Sequence, residues 1–91
     1  MYRPHPVIRP GAAQHVAIGS AHAESAALGA AVVQLCATSD CHIVFGSNPA
    51  ATANDTFLPA KVPVVFASLS TDKVSVIQDT GAGTLFITPG A

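Results

Sequence analysis

The stretch that decides the fold class is residues 31–46, which read AVVQLCATSDCHIVFG. Two apolar runs rich in β-branched residues, 31–36 and 41–46, flank the sequence TSD at 38–40, which is typical of a turn. This pattern predicts two strands joined as a hairpin. The protein is therefore expected to be built from strands around this unit.

Further strands are expected on both sides of this unit. They cover residues 15–19, 62–67, 73–77 and 84–88, and the last two form a second hairpin around the sequence GAG at 81–83. Pro63 places the 62–67 strand at a sheet edge or at a strand start. Short strands about ten residues apart, with turn signals between them, indicate an all-β fold, either a small β-sandwich or a jelly-roll-like barrel. The long 46–62 connection predicts a crossing between sheets.

Two segments lack a strand pattern. Residues 20–31 are rich in alanine and begin with Ser20, a possible helix cap. Alanines give a helix face little to bury, so we favour extended structure over a helix there. Residues 1–14, MYRPHPVIRPGAAQ, contain three prolines that prevent a helix, which predicts an extended N-terminal arm or a frayed terminus. Residues 15–91 then form a single domain.

Charge is scarce in this chain. Nine of 91 residues are Lys, Arg, Asp or Glu, whereas about a quarter is usual for a globular protein. A small domain has proportionally more surface than a large one, so this shortage cannot be hidden inside. We infer that part of the surface is covered by other protein subunits.

The same composition argues against several classes of partner. No basic stripe could neutralise phosphates, and there is no Trp and one Tyr for base stacking, so we expect no nucleic-acid binding. The longest apolar run, 26–33, is too short to span a bilayer, so we expect no membrane association. Prolines at 4, 6 and 10 interrupt the place of a signal-peptide helix, and we expect synthesis in the cytoplasm.

The candidate catalytic and metal-binding residues are few. Cys36 and Cys41 fall on one face of the first hairpin whichever turn forms, and we favour two small buried hydrophobes over a disulfide or a zinc site. His22 and Glu24 are two residues apart and could form an acid–base pair on a strand face. No nucleophile or second carboxylate lies nearby in the sequence, so we expect no enzyme and no cofactor or metal.

The order of these segments resembles that of a known group of proteins. The matching pieces are LCATSDCHIVFGSNPAATA (35–53), FLPAKVPVVF (57–66) and KVSVIQDTGAGTLFIT (73–88). Together they are similar to small bacteriophage virion proteins, the compact β-domains of head decoration or cement proteins and of tail and fibre parts. The resemblance implies a β-sandwich, self-association (often as a trimer), binding to a capsid or tail surface, and no catalytic residues.

We therefore expect a virion structural protein, most simply a capsid decoration or cement protein that stabilises the head through subunit contacts. Its partners would be itself, as a homotrimer or another homo-oligomer, and the major capsid protein or another virion protein. The residues expected to contact partners are apolar: Tyr2, Val7 and Ile8 in the arm, and Phe57, Leu58, Val64 and Phe66 in the 57–66 segment.

Three alternatives stay open at this point. The first is a tail, head-fibre or connector component of the virion. The second is a small jelly-roll module that binds a sugar through Asn48, Asn54 and Asp55 of the 46–56 loop. The third is a cupin-like metalloenzyme, which would have to bring together His15, His22 and His42 with Glu24.

Overall fold

The computed structural model describes residues 12–90, and every regular element within that range is a β-strand. The strands are β1 (Gln14–Ile18), β2 (Ala23–Glu24), β3 (Val32–Ala37), β4 (Cys41–Gly46), β5 (Thr56–Leu58), β6 (Val64–Ala67), β7 (Lys73–Gln78) and β8 (Gly83–Pro89). The prediction of an all-β protein is confirmed.

The strands form two four-stranded antiparallel sheets. The first sheet has the order β1-β8-β3-β6, and the second has the order β2-β7-β4-β5. Between β4 and β5 the chain stays in one sheet, and at every other connection between the described strands it passes to the other sheet. This arrangement is compatible with a small β-sandwich.

The hydrophobic core lies between the sheets, and buried side chains alternate with more exposed ones along β1, β3 and β6 of the first sheet. The first sheet contributes Val33, Leu35 and Leu85 to it, and the second contributes Ile43 and Val76; all are at most 1% exposed. Burying one such side chain contributes about 1.5–3 kcal/mol relative to leaving it in water. These alternating positions therefore decide which face of each strand turns inward.

Both predicted hairpins are wrong, and for the same reason. β3 and β4 lie in different sheets, so residues 38–40 cross from one sheet to the other; β7 and β8 are separated in the same way. Alternation identifies the buried face of a strand but not its hydrogen-bonded neighbour. Two consecutive strands bury their apolar faces equally well whether they lie in facing sheets or side by side in one sheet.

The two crossing turns contact each other. Thr38 donates its backbone N–H to the carbonyl oxygen of Thr84 at 2.9 Å, and its Oγ1 accepts the N–H of Thr84 at 2.9 Å. The Asp79 N–H donates to the carbonyl oxygen of Asp40 at 3.1 Å. A Cβ atom on Gly83, the first residue of β8, would lie closest to Ser39 Oγ and 2.6 Å from Thr38 Oγ1, so a larger residue there would displace these side chains.

Several other expectations are confirmed. Residues 20–31 contain no helix, as expected, and contribute the short strand β2 between bends, and Pro63 directly precedes β6, an edge strand of the first sheet. The 46–62 connection contains the expected crossing, which lies between β5 and β6. The sequence did not predict β2 or β5, which have two and three residues. Gln14, assigned to the arm, begins β1, and residues 1–11 of the arm lie outside the described residues.

Candidate interaction surface

The residues expected to contact partners differ in their exposure. Tyr2, Val7 and Ile8 lie outside the described residues. Phe57 on β5 is 49% exposed, whereas Leu58 is 1% exposed and belongs to the core. Alternation along β5 turns Phe57 outward and Leu58 inward. Leu58 therefore cannot line a surface of this fold, which corrects its assignment.

Val64 and Phe66 are half-buried, because alternate residues of β6 face the core. The ring centroid of Phe66 lies 5.5 Å from that of Phe45 in the second sheet. The large apolar side chains exposed around β6 are instead Val62 (46%), Val65 (39%) and Leu69 (67%).

The first sheet presents an outer face without charged residues. None of the residues in β1, β3, β6 and β8 is Asp, Glu, Lys or Arg. Alternation directs outward the side chains of His15, Ala17, Val32, Gln34, Cys36, Val65, Ala67, Thr84, Phe86 and Thr88. We call these side chains the uncharged face.

An aromatic pair lies within the uncharged face. Phe86 on β8 is 37% exposed and stands between His15 of β1 and Cys36 of β3 in the sheet register. The rings of His15 and Phe86 meet edge to face with centroids 4.6 Å apart. An uncharged surface with an exposed aromatic on an inner strand of the sheet is typical of a protein contact.

The outer face of the second sheet is covered in part by the protein's own 47–55 loop. Ala51 of this loop is 2% exposed, and its N–H donates to the hydroxyl of Ser75 on β7 at 2.9 Å. Ser75 is fully buried although it points away from the core between the sheets. At one end of this sheet, Nζ of Lys73 at the start of β7 lies 3.7 Å from Oε1 of Glu24 on β2, which forms an ion pair. The outer face of the second sheet therefore carries a packed loop and charged residues, whereas the uncharged face of the first sheet has no charged residue.

His42 of β4 connects the loop to the second sheet. Its Nε2 lies 2.9 Å from Oδ1 of Asp79, just beyond β7, and its Nδ1 lies 3.1 Å from the carbonyl oxygen of Asp55. The Phe57 ring meets the imidazole edge to face, with centroids 5.5 Å apart. His42 is 9% exposed, so both of its ring nitrogens depend on these partners.

Both partners of His42 accept hydrogen bonds and cannot donate them. A carbonyl oxygen and an ionised carboxylate are satisfied together only when both ring nitrogens carry a proton, which is the imidazolium form. The hydrogen bond to Asp79 and then that to the Asp55 carbonyl raise the pKa of His42, against a lowering by burial. Since neither nitrogen presents a lone pair to solvent, this histidine holds the loop and is not placed to act as a general base.

The cysteines occupy different environments, contrary to the expectation that they share a face. Cys41 is buried in the core, 3.9 Å from the carbonyl oxygen of Leu58, while Cys36 is half-buried on the uncharged face. Both are thiols. Burial, and secondarily the charge of Asp40, raises the pKa of the Cys41 thiol to about 11. The expectation that both are core hydrophobes holds for Cys41 alone.

The alternatives that need a polar site find little support in the geometry. The exposed Glu24 is paired with Lys73, and within residues 12–90 no group of three His, Cys, Asp or Glu side chains is placed to hold a metal ion. In the loop, the Asp55 carboxylate accepts hydrogen bonds from the N–H and hydroxyl of Thr52 at 2.7 and 3.2 Å, so it shapes the loop. No helix in the described range is long and apolar enough to cross a membrane.

Comparison of the chain with protein-family models, with curated proteins and with solved structures found no match. The surface has therefore to be interpreted from its own residues. The absence of charged residues from β1, β3, β6 and β8 can be read from the sequence once the strand boundaries are known. The contact of His42 with Asp79 was not, because it joins residues 37 positions apart through a strand pairing that the sequence did not indicate.

Proposed function

We propose that this protein is a structural component of a bacteriophage virion, most simply a capsid decoration or cement protein without catalytic activity. The observation that carries the proposal is the uncharged face, which extends across all four strands of the first sheet. A sheet face without charge that also exposes apolar side chains such as Val65 and Phe86 fits a protein whose function is to bind other subunits.

The strand order supports the same proposal. The orders β1-β8-β3-β6 and β2-β7-β4-β5 fit a jelly roll, in which eight strands form two packed sheets through Greek-key connections. Viral capsid proteins and lectins both use this architecture, so the fold by itself does not select between them. We take the uncharged face as a subunit contact because it extends across a whole sheet and carries no acidic residue.

The proposed mechanism is burial of surface between subunits. A permanent contact buries about 2,000 Å² or more and is as apolar as a divided core. Copies of the protein, bound to one another and to the major capsid protein, would add contacts across the junctions of a capsid. Each added contact raises the cost of separating capsid subunits, so the head resists the pressure of its packaged DNA. Residues 1–14 are proposed to extend this contact onto a neighbouring subunit.

The test is occupancy on particles. Phage particles made without this protein are incubated with purified protein, sedimented through 1 M salt and analysed by quantitative mass spectrometry and immunogold labelling. We expect stoichiometric binding to heads by the native protein and loss of binding by Phe86→Lys, which places a charge in the uncharged face. Ala53→Lys, in the exposed loop over the second sheet, is the matched control and should bind normally.

Three results would change the proposal. Labelling on tails or fibres would favour the tail, head-fibre or connector alternative. Absence of the native protein from washed particles would contradict a virion role altogether. Full occupancy by a variant lacking residues 1–10 would contradict the proposed contact by the arm.

A further inference from the structure

The four sheet edges of this protein differ in what they expose. The edges of the second sheet, β2 and β5, have two and three residues. Beside β1, the side chain of Gln14 accepts the N–H of Ala26 at 3.0 Å and donates to the carbonyl of Ala27 at 3.3 Å, so the chain itself borders this edge. β6 has four residues, all apolar, and within residues 12–90 it pairs with β3 alone.

The register shows which backbone groups of β3 face β6. The Ser68 N–H donates to the carbonyl of Ala31 at 2.9 Å, on the β6 side, and the Gly90 N–H donates to the carbonyl of Val32 at 2.8 Å, on the β8 side. In an antiparallel ladder the direction of the backbone groups alternates from residue to residue. Residues 33 and 35 of β3 are therefore directed towards β6.

The partners of residues 33 and 35 in β6 are Phe66 and Val64. The backbone groups of these two residues are used within the sheet. The N–H and C=O groups of Val65 and Ala67 are then directed away from β3, at the open edge. Unpaired groups on an uncharged edge strand are a template for another strand.

We infer that two copies of this protein pair through β6 about a two-fold axis. Antiparallel pairing places Val65 opposite Ala67 of the second copy, and Phe66 opposite Phe66 of the second copy on the axis. Each Val65–Ala67 pair exchanges both of its N–H···O bonds, because both residues present these groups at the edge. The first sheets of the two copies then form one continuous sheet. The inference rests on the self-association that the proposed function includes, and it names the surface that associates.

Two features of the edge fit a second copy of the chain. The exposed side chains beside it, Val62, Val65 and Leu69, are apolar, so like surfaces meet without repulsion. Lys61 lies before β6, and Asp72 lies in the turn that follows it, where its carboxylate accepts the Leu69 N–H at 2.9 Å. Antiparallel pairing brings the basic end of one strand to the acidic end of the other, whereas a parallel arrangement would bring like charges together.

The neighbouring proline limits the length of the pairing. Pro63 has no N–H to donate, so the ladder cannot continue past the start of β6. A two-fold contact uses the same edge of both copies and leaves no second β6 edge open. The expected product is therefore a closed dimer, which can serve as a building unit of a larger assembly.

The experiment is sedimentation equilibrium of the full chain across a dilution series, combined with amide hydrogen exchange. Val65→Pro removes an N–H that β3 does not use, and edge strands tolerate proline at such positions. We expect a dimer in the native protein, a dissociation constant at least tenfold higher for Val65→Pro, and concentration-dependent protection of the Val65 and Ala67 amides. Ala53→Lys, in the exposed 47–55 loop, lies outside both β6 and the uncharged face and should leave dimerisation unchanged.

Val65→Lys is a second variant in case Val65→Pro fails to fold. The Val65 side chain is exposed, so the fold tolerates its replacement, and the lysines introduced in the two copies repel each other across the two-fold axis. A native protein that is monomeric at millimolar concentration, or an oligomer equally stable with either substitution, overturns the inference. Particle occupancy is scored separately. A monomer that occupies phage heads overturns the β6 pairing and leaves the proposed function standing. A dimer that depends on Val65 but is absent from particles supports the β6 pairing and contradicts the proposed function.

Discussion

Replacing Asp79 by Asn tests whether His42 carries a charge in the folded protein. The Asn side chain keeps an oxygen at the position 2.9 Å from His42 Nε2 and removes the negative charge that favours the imidazolium form. Because the carbonyl of Asp55 still accepts from Nδ1, the ring keeps one anchor. The substitution therefore removes the electrostatic part of the contact with little change in shape.

The expected loss is about 1 kcal/mol at pH 6. A charged hydrogen bond contributes about 1.5–3 kcal/mol when well shielded, and exposed ion pairs contribute about 0.2–1 kcal/mol. The Asp79 side chain is 37% exposed, which places this pair towards the lower range. The folded-state pKa of His42 is raised above its ordinary value of 6.5. The stabilisation is therefore complete below pH 6.5 and is lost as the pH rises through the folded-state value.

The assay is urea unfolding followed by far-ultraviolet circular dichroism, since the chain has no Trp. With a slope of about 1 kcal/mol per M, the Asp79→Asn midpoint should fall by about 1 M at pH 6 and by less at pH 8.5. His22→Gln, which removes an exposed histidine, is the matched control and should show no such dependence. An equal loss at both pH values, or a larger loss at pH 8.5, would refute the imidazolium assignment.

Two further substitutions and one labelling experiment follow from the packing. Gly83→Ala should destabilise the protein by about 1–3 kcal/mol, because its Cβ meets the Thr38 hydroxyl; an unchanged melting temperature would contradict this. Ser75→Ala should cost about 1–3 kcal/mol, since the buried amide of the loop above it loses its acceptor, and faster exchange of that amide would report it. At pH 8 a thiol reagent should modify Cys36 in the native protein and should react with Cys41 only in urea. Rapid modification of two thiols per chain without urea would contradict the burial of Cys41.

Local patterns predicted the strands well and their partners badly. The runs 31–36 and 41–46 lie within one residue of β3 and β4, since alternating β-branched residues mark a half-buried strand wherever it pairs. Residues 38–40 have the composition of a hairpin turn, yet they cross between sheets. Their side chains bond to the other crossing turn, and Thr38 and Thr84 are 46 positions apart. No local pattern contains that information.

The uncharged face was not among the residues expected to contact partners, for a similar reason. The segment 57–66 was correctly singled out as unusually apolar, but its apolar residues divide between core and surface. Phe57 is exposed and Leu58 is buried because neighbouring residues of a strand face opposite ways, and the face that is buried depends on the partner strand. Val65, whose backbone groups lie at the open edge of β6, could be identified only from the register of β6 against β3.

The position of the acidic residues gives a reason to regard the uncharged face as a contact surface. All five acidic side chains bond within the protein to loop amides, to His42 or to Lys73: Glu24, Asp40, Asp55, Asp72 and Asp79. None of them lies in a strand of the first sheet. Folding does not require this, because outward positions of a sheet accept polar or charged residues at a cost usually within about 0.5 kcal/mol. A soluble monomer would gain from charges there, so their absence is better explained by a protein surface that binds this face.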